Sequence, residues 1–234
     1  MVKNKTKKLQ DNSTQIVCIL DRSGSMRKII DDAIGGFNSF LDKQKKLDEP
    51  ATMTVALFDD KYDLLYDNIK INKVEEMTVN VWSPRGLTAL YDAIGRTINT
   101  VKDNHKKLSK KEKPSKVLVV IVTDGLENDS KEYSQNEINK LIKEMEKKDW
   151  NFLYLAANQS AFSEGTSIGI SGGNTLNYKN TSKGNKVMFD TLASATTKYR
   201  SMAKSSVDYA DISTNLMDSV TDGKGSVDED DQDQ

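Results

Sequence analysis

Oxygen-bearing side chains follow an apolar run near the start of the chain. Residues 16–20 are apolar, and Asp21, Ser23 and Ser25 come directly after them at alternate positions. An apolar run of this length is typical of a strand buried on both faces. The loop has one glycine and no Lys-Ser or Lys-Thr pair, so it lacks the groups that cradle a triphosphate. Hard oxygen donors in one turn instead predict a site for Mg²⁺ or Mn²⁺.

Two later positions offer oxygens of the same kind. Thr88 stands before a predicted helix that begins near Ala89, where its hydroxyl would cap the first turn. Asp124 ends the most apolar run of the chain, residues 116–123. The carboxyl ends of parallel strands meet at one edge of a sheet. We therefore expect Asp21, Thr88 and Asp124 to approach one another although they are far apart in sequence.

Apolar runs alternate with amphipathic segments along most of the chain. The predicted strands are residues 15–20, 52–58, 62–71, 116–123, 151–157 and 174–178. The predicted helices are residues 27–46, a segment from 89 onward, 135–147, a short helix within 159–174, and 187–202. This alternation predicts an α/β fold with three layers, in which helices cover both faces of a doubly wound, mostly parallel sheet. A tight turn at residues 59–61 predicts that the third strand is an antiparallel edge strand.

Composition limits the possible organisation of the chain. The 234 residues allow one large domain or two small ones, and the net charge of -1 gives no global basis for binding nucleic acid. Residues 1–13 are basic and polar, and residues 204–234 are polar with an acidic end. We predict disorder in both segments and a folded domain over residues 14–203.

Cysteine content and hydropathy point to a cytoplasmic protein. The single cysteine, Cys18, lies inside the first apolar run, so we expect a buried hydrophobic side chain and no intramolecular disulfide. No apolar run approaches the roughly 18–20 residues that span a bilayer. No apolar segment typical of a signal peptide follows the basic start.

Three motifs together resemble one family. Asp21, Ser23 and Ser25 in the first loop, Thr88 within residues 86–95, and Asp124 in a Thr-Asp-Gly sequence occur in the order found in von Willebrand factor A (vWA) domains. The chain resembles a vWA domain with a complete metal-ion-dependent adhesion site (MIDAS) over residues 14–202. The residues of the second and third motifs are similar to those of small, stand-alone intracellular bacterial and phage members of the family.

The resemblance implies a function and a set of ligands. Ser23, Ser25 and Thr88 would coordinate the ion directly or nearly so, and Asp21 and Asp124 would act directly or through water. Mg²⁺, or Mn²⁺, suits such a set because it prefers six oxygens and retains some waters. Neutral hydroxyls leave the cation electrophilic, so an Asp or Glu from a partner protein would complete its shell. The implied function is a metal-dependent protein-binding module that is not an enzyme.

Two other functions stay open at this point. A Mg²⁺ site at strand ends could serve a hydrolase or phosphoryl-transfer enzyme, although no nucleophile–base pair is visible. The basic start and the lysine-rich residues 102–116 could instead belong to a nucleic-acid-associated scaffold. Arg22 and Arg85 flank the predicted site and could hold an anion, although simple solvation is the favoured interpretation. His105, Glu127 and Asp129 are predicted to be surface residues.

Overall fold

The computed structural model of the protein describes residues 12–157 and 160–221. Residues 1–11 of the predicted disordered start and residues 222–234 of the predicted disordered tail lie outside the described residues, whereas residues 12–13 and 204–221 are described. No helix in the described ranges is long and apolar enough to cross a membrane.

A six-stranded sheet forms the centre of the molecule, with the strand order β3-β2-β1-β4-β5-β6. Only β3 runs antiparallel to its neighbour, and it lies at an edge. The predicted mostly parallel sheet with one antiparallel edge strand is thus confirmed. The strands are β1 (Thr14–Asp21), β2 (Ala51–Phe58), β3 (Tyr62–Lys70), β4 (Lys116–Thr123), β5 (Trp150–Ala157) and β6 (Thr175–Tyr178).

Helices cover both faces of this sheet, as predicted for a three-layer fold. A short 3₁₀ turn, Gly24–Lys28, separates β1 from the first helix, so that helix begins later than predicted. The helices are α1 (Ile30–Lys45), α2 (Leu90–Lys107), α3 (Gln135–Glu146), α4 (Ala161–Ser167), α5 (Ser182–Ser201), α6 (Tyr209–Thr214) and α7 (Asp218–Thr221).

The two faces of β1 belong to two separate hydrophobic clusters. Ile16, Cys18 and Leu20 pack on the side of α1 and α5. Val17 and Ile19 pack on the side of α2 and α3. Because successive side chains of a strand point to opposite faces, a continuous apolar run can only be buried between two layers. Cys18 is a buried free thiol, as predicted.

The strand order places a topological switch point between β1 and β4. From β1 the chain moves outward through β2 and β3, and it then returns to place β4 on the other side of β1. Leu20 lies in register with Val122, so Asp21 and Thr123 follow at the same edge. Open α/β sheets bind ligands in the crevice at such a point. The fold alone therefore brings the first and third motifs together.

Packed structure continues beyond residue 203, where we had predicted a disordered tail. Leu216 and Met217 are fully buried, and Tyr209 donates or accepts a hydrogen bond with Tyr199 across 3.1 Å. Apolar residues are sparse in this segment, which is why the sequence pattern indicates a tail. A few large apolar side chains are enough to dock two short helices against α5 and the sheet.

His105 is not the surface residue that we had predicted. Its ring is half-buried, and its Nε2 lies 2.6 Å from Oε1 of Gln15 in β1. The ring also meets Trp150 edge-on at a centroid distance of 5.6 Å. The lysine-rich sequence around His105 hides the fact that this position of α2 faces the amino-terminal ends of the strands.

Two buried cations hold the end of the molecule that lies opposite the switch point. Nζ of Lys116 donates to the carbonyls of Tyr199, Arg200 and Met202 at 2.7, 2.9 and 2.6 Å, which satisfies the last turn of α5. The guanidinium of Arg200 donates to the carbonyls of Gln44 and Glu49. Burial lowers the pKa of Lys116 to about 8. The carbonyls at the ends of two helices thus replace water around these charges.

Replacing Lys116 with methionine is expected to destabilise the protein by about 2–3 kcal/mol, because three carbonyls lose their donor inside the fold. Urea unfolding followed by circular dichroism measures this change. The matched control is Lys204→Met, since Lys204 pairs with Asp149 and donates to the carbonyl of Ser115 at the surface, and its loss should cost under about 1 kcal/mol. Equal losses in the two variants would contradict the assignment of Lys116 as a helix anchor.

Candidate metal centre

The first loop folds around the carboxylate of Asp21, which is fully buried at the end of β1. Its Oδ1 accepts a hydrogen bond of 2.6 Å from the backbone N–H of Ser23. Its Oδ2 accepts a bond of 2.7 Å from the hydroxyl of Thr123 at the end of β4. These bonds fix the loop and lock Asp21 against the neighbouring strand.

The hydroxyl of Ser25 contacts the second acid directly, and the hydroxyl of Ser23 contacts that of Ser25. The two serine Oγ atoms are 3.0 Å apart, and Ser25 Oγ donates to Oδ1 of Asp124 across 2.5 Å. Oδ2 of Asp124 accepts a bond of 3.1 Å from the amide of Asn180, two residues before α5. The structure therefore joins the first and third motifs through side chains that are 99 positions apart.

Thr88 approaches the same point from a third loop. A Cβ placed on Gly125 would lie 3.1 Å from Thr88 Oγ1 and 3.6 Å from Ser25 Oγ, so both hydroxyls surround this glycine. Two hydrogen bonds to Asn128 hold the backbone of Thr88, at 2.9 Å to its N–H and 3.0 Å from its carbonyl. All five predicted side chains thus lie around one point at the switch between β1 and β4.

Thr88 does not cap the helix that follows, contrary to our prediction. The cap position of α2 is Ala89, and it makes no side-chain hydrogen bond to the helix. The carboxylate of Glu127 accepts from the N–H of Tyr91, and the hydroxyl of Ser130 accepts from the N–H of Asp92. The hydroxyl of Thr88 is therefore not used for capping. Glu127 is a structural residue of the third loop and not the free surface charge we had predicted.

Arg22 and Arg85 are held by acids that sequence reasoning missed. Nε of Arg22 and Nε of Arg85 lie 3.0 and 2.7 Å from the same oxygen of Asp59, which is fully buried. Arg22 also pairs with Asp63 at 2.6 Å. Arg22 itself is buried, so neither solvation nor capture of a partner's carboxylate describes it. These ion pairs brace the loops that carry Ser23 and Thr88.

The buried side chain of Trp82 supports the first loop through a hydrogen bond to the backbone of Asp21. Its ring is fully buried and meets Phe37 edge-on at 6.2 Å, and its Nε1 donates to the carbonyl of Asp21 across 2.9 Å. The segment around Trp82 shows no clear periodicity in the sequence. Its role follows only from the position of the indole beneath the site.

The electrostatics of the two acids favour a bound cation. Burial raises the pKa of Asp21 to about 6, against the opposing hydrogen bonds from Thr123 and Ser23. Burial also raises the pKa of Asp124. Within the described ranges, no basic side chain forms an ion pair with either acid. Two buried carboxylates without a basic partner fit a divalent ion, because a buried charge requires compensation.

The donor set fits a hard, oxygen-binding ion. It consists of three hydroxyls and two carboxylates, whereas the residues that the structure describes contain no cluster of three or more His, Cys, Asp or Glu side chains suited to a metal. Sites for softer metals are built from the nitrogen of His and the sulfur of Cys. The set present here suits Mg²⁺ or Mn²⁺ and leaves coordination positions for water or another ligand.

Gly125 offers a direct test of the space at this centre. Gly125→Ala would place a methyl group against the hydroxyls of Thr88 and Ser25, so we expect about tenfold weaker binding of Mg²⁺ with an intact fold. Calorimetric titration with MgCl₂ measures the affinity. Gly35→Ala is the matched control, since nothing lies within 4 Å of its added methyl and helix α1 should gain about 0.5–1 kcal/mol. Unchanged affinity in Gly125→Ala would contradict the placement of the ion.

Comparison with known proteins supports the fold. Scans against protein-family models and against curated proteins find no match. Among solved structures, the vWF domain of the pilus tip protein Mfa5 from Porphyromonas gingivalis is 10% identical with a TM-score of 0.60. The match covers 83% of this chain and 98% of that one.

Two further solved structures share the fold over part of their length. A von Willebrand factor type A protein from Catenulispora acidiphila is 14% identical with a TM-score of 0.56, and the match covers 78% of this chain and 42% of that one. The mussel byssus matrix protein PTMP1, with a zinc-occupied MIDAS motif, is 15% identical with a TM-score of 0.54. That match covers 77% of this chain and 45% of the mussel chain. The chain therefore has the fold of a von Willebrand factor A domain.

Proposed function

We propose that this protein is a metal-dependent protein-binding module. Its divalent cation would be held by Asp21, Ser23, Ser25, Thr88 and Asp124 as a complete MIDAS. The observation that carries the proposal is the convergence of these five side chains at the switch point, with Ser25 Oγ 2.5 Å from Asp124. A bound divalent ion supplies an electrophilic centre that accepts a carboxylate oxygen.

The protein's own residues would shape that centre in two ways. Ser23, Ser25 and Thr88 present neutral oxygens, which reduce the charge of the ion less than carboxylates do. Asp21 and Asp124 are held in place by Thr123 and Asn180, so they provide charge at a fixed position. An Asp or Glu of a partner protein would then complete the coordination shell. Binding would require the metal and be lost on chelation.

A binding role is favoured over a catalytic one by the position of the only histidine. His105 bonds to Gln15 near the start of β1, at the opposite end of the sheet from Asp21. It therefore cannot act as a general base at the centre. We propose Mg²⁺ as the resident ion because its preference for oxygen ligands and retained waters suits the donor set. The resemblance to intracellular members extends the proposal to a cytoplasmic setting.

Metal-dependent capture of a partner tests this function. We expect the full chain to retain a partner from native host extract in Mg²⁺ and to release it in EDTA. Ser23→Ala should lose capture, while Ser194→Ala, which changes an exposed serine of α5, should keep it. Affinity of the purified partner for each variant would be measured by calorimetry. A partner that stays bound in EDTA, or that binds Ser23→Ala normally, would contradict the proposal.

A further inference from the structure

A basic cleft lies at the end of the sheet opposite the metal centre. It has a volume of about 350 Å³ and is lined by Val117 and Trp150, which stand at the starts of β4 and β5. The metal centre lies beyond the other ends of the strands. The cleft is therefore separate from the site described above and has no assigned role.

Five lysines line this cleft, and they come from four separate parts of the chain. Two belong to α2, one to the loop before β4, one follows α3 and one follows α5. These residues are Lys102, Lys106, Lys113, Lys148 and Lys204. Only the first three are near one another in sequence, so the tertiary structure is what assembles the cluster.

Positive charge exceeds negative charge around the cleft. Asp149 is the one acidic residue in the lining that the structure describes, and it pairs with Lys204 at 2.6 Å. Glu144 is shared between Lys102 and Lys148, at 3.4 and 2.7 Å. Asp103 pairs with Lys106 at 2.7 Å, so the five lysines face three acids and keep an excess of two charges.

Lys113 and His105 give the cleft its polar and aromatic character. Lys113 forms no ion pair with any described residue, which leaves its ammonium group available. Burial, and next the charge of Lys113, lower the pKa of His105, so its ring is neutral at pH 7. The neutral ring lies against Trp150 at an interplanar angle of 64°. Two packed aromatic rings therefore line the cleft together with the cationic groups.

We propose that this cleft binds the phosphate groups of a nucleotide-sized ligand, a nucleoside polyphosphate. Lysine ammonium groups are established binders of phosphate as compact point charges. The volume lies at the lower end of the range for small-molecule pockets, which suits one nucleotide better than a macromolecule. The partly exposed ring of His105, which packs on the buried Trp150, offers a surface for a base.

Calorimetric titration of the full chain with ATP tests this assignment. EDTA is present throughout, so that phosphate cannot bind through a cation at the metal centre. Lys113→Gln, Lys148→Gln and Lys204→Gln are combined in one variant. The matched control combines Lys46→Gln, Lys73→Gln and Lys186→Gln, which remove three exposed lysines outside the cleft. We expect roughly tenfold or greater loss of ATP affinity in the cleft variant and less than about twofold loss in the control.

Two further ligands identify the source of the phosphate. Inorganic tripolyphosphate should bind more weakly than ATP if the ring of His105 contacts the base, and equally if the phosphates alone carry the binding. Both results support the cleft, provided that the triple lysine variant binds ATP and tripolyphosphate more weakly than the wild type does. Absence of ATP and tripolyphosphate binding, or equal losses in the two triple variants, overturns the proposal. Tight binding of a ten-nucleotide oligothymidine without ATP binding also overturns it, in favour of a strand-binding surface.

A single substitution guards against a folding defect in the triple variant. Lys113→Glu reverses the charge of the one cleft lysine that has no ion pair with a described residue, so it breaks no ion pair there. It should weaken ATP binding while the thermal unfolding midpoint stays unchanged. Normal ATP binding by this variant would count against the assignment.

Discussion

Asp21→Asn is expected to abolish the stabilisation of this protein by Mg²⁺ while leaving its fold intact. The substitution removes the negative charge of the buried side chain around which the first loop folds, and it conserves the shape of that side chain. Asn can still accept from the N–H of Ser23, and its amide can donate to Thr123 Oγ1, which in turn donates to the carbonyl of Gly125. Loss of a charged ligand should weaken Mg²⁺ binding by at least about 100-fold.

Thermal unfolding at increasing MgCl₂ concentration measures this effect. Wild-type protein at a metal concentration 100 times its dissociation constant should gain about 2.7 kcal/mol, and Asp21→Asn should gain almost none. Without metal the variant should be at least as stable as wild type, because burial disfavours the charged carboxylate. Asp31→Asn is the control, since Asp31 is exposed on α1. A normal Mg²⁺ response in Asp21→Asn would exclude Asp21 from the centre.

Asp59→Ala is expected to give the largest loss of stability among these variants, about 3–5 kcal/mol. Asp59 is fully buried and accepts from Arg22, from Arg85 and from the N–H of Lys61 at 2.6 Å. Its removal leaves the buried Arg22 with only the half-exposed Asp63 as a partner. An uncompensated buried cation costs far more than the loss of a surface ion pair.

Urea unfolding of Asp59→Ala and of the control Asp63→Ala separates these two cases. Asp63→Ala should cost about 1 kcal/mol or less because its side chain is half-exposed. The same variants report on the metal centre. The carboxylate of Asp59 holds Arg22, which lies between Asp21 and Ser23 in the first loop, so Asp59→Ala should also weaken Mg²⁺ binding. Equal stability losses in the two variants would contradict the role of Asp59 as the brace.

Much of the sheet could be predicted because its strands are buried on both faces. The run at residues 116–123 matches β4 at both ends, since such a run has no stable place except between two layers of helices. The antiparallel edge strand was equally visible, because a three-residue turn cannot connect parallel neighbours. Helix starts were less visible. A 3₁₀ turn after β1 and an earlier start of α5 depend on loop geometry and on the cap formed by Thr181.

The residues that brace the site were not predictable from local patterns. Asp59, Thr123 and Asn180 each look like ordinary turn or strand-end residues in the sequence. Each acquires its role from a partner 37 to 102 positions away, as Arg22–Asp59 and Asp21–Thr123 show. The same reasoning explains His105, whose lysine-rich neighbours suggested a surface position although its ring lies against β1 and Trp150.

The sequence by itself determined which chemistry is available at the centre. Two acids and three hydroxyls at strand ends and before a helix favour a hard cation, and alternating apolar segments require a sheet between helices. The tertiary structure decided how those groups meet and what supports them. The strand order brings the end of β1 beside the end of β4, and both arginines that flank the site are paired with the buried Asp59. Contacts between distant segments leave no periodic trace in a sequence, because they depend on the order of strands in the sheet.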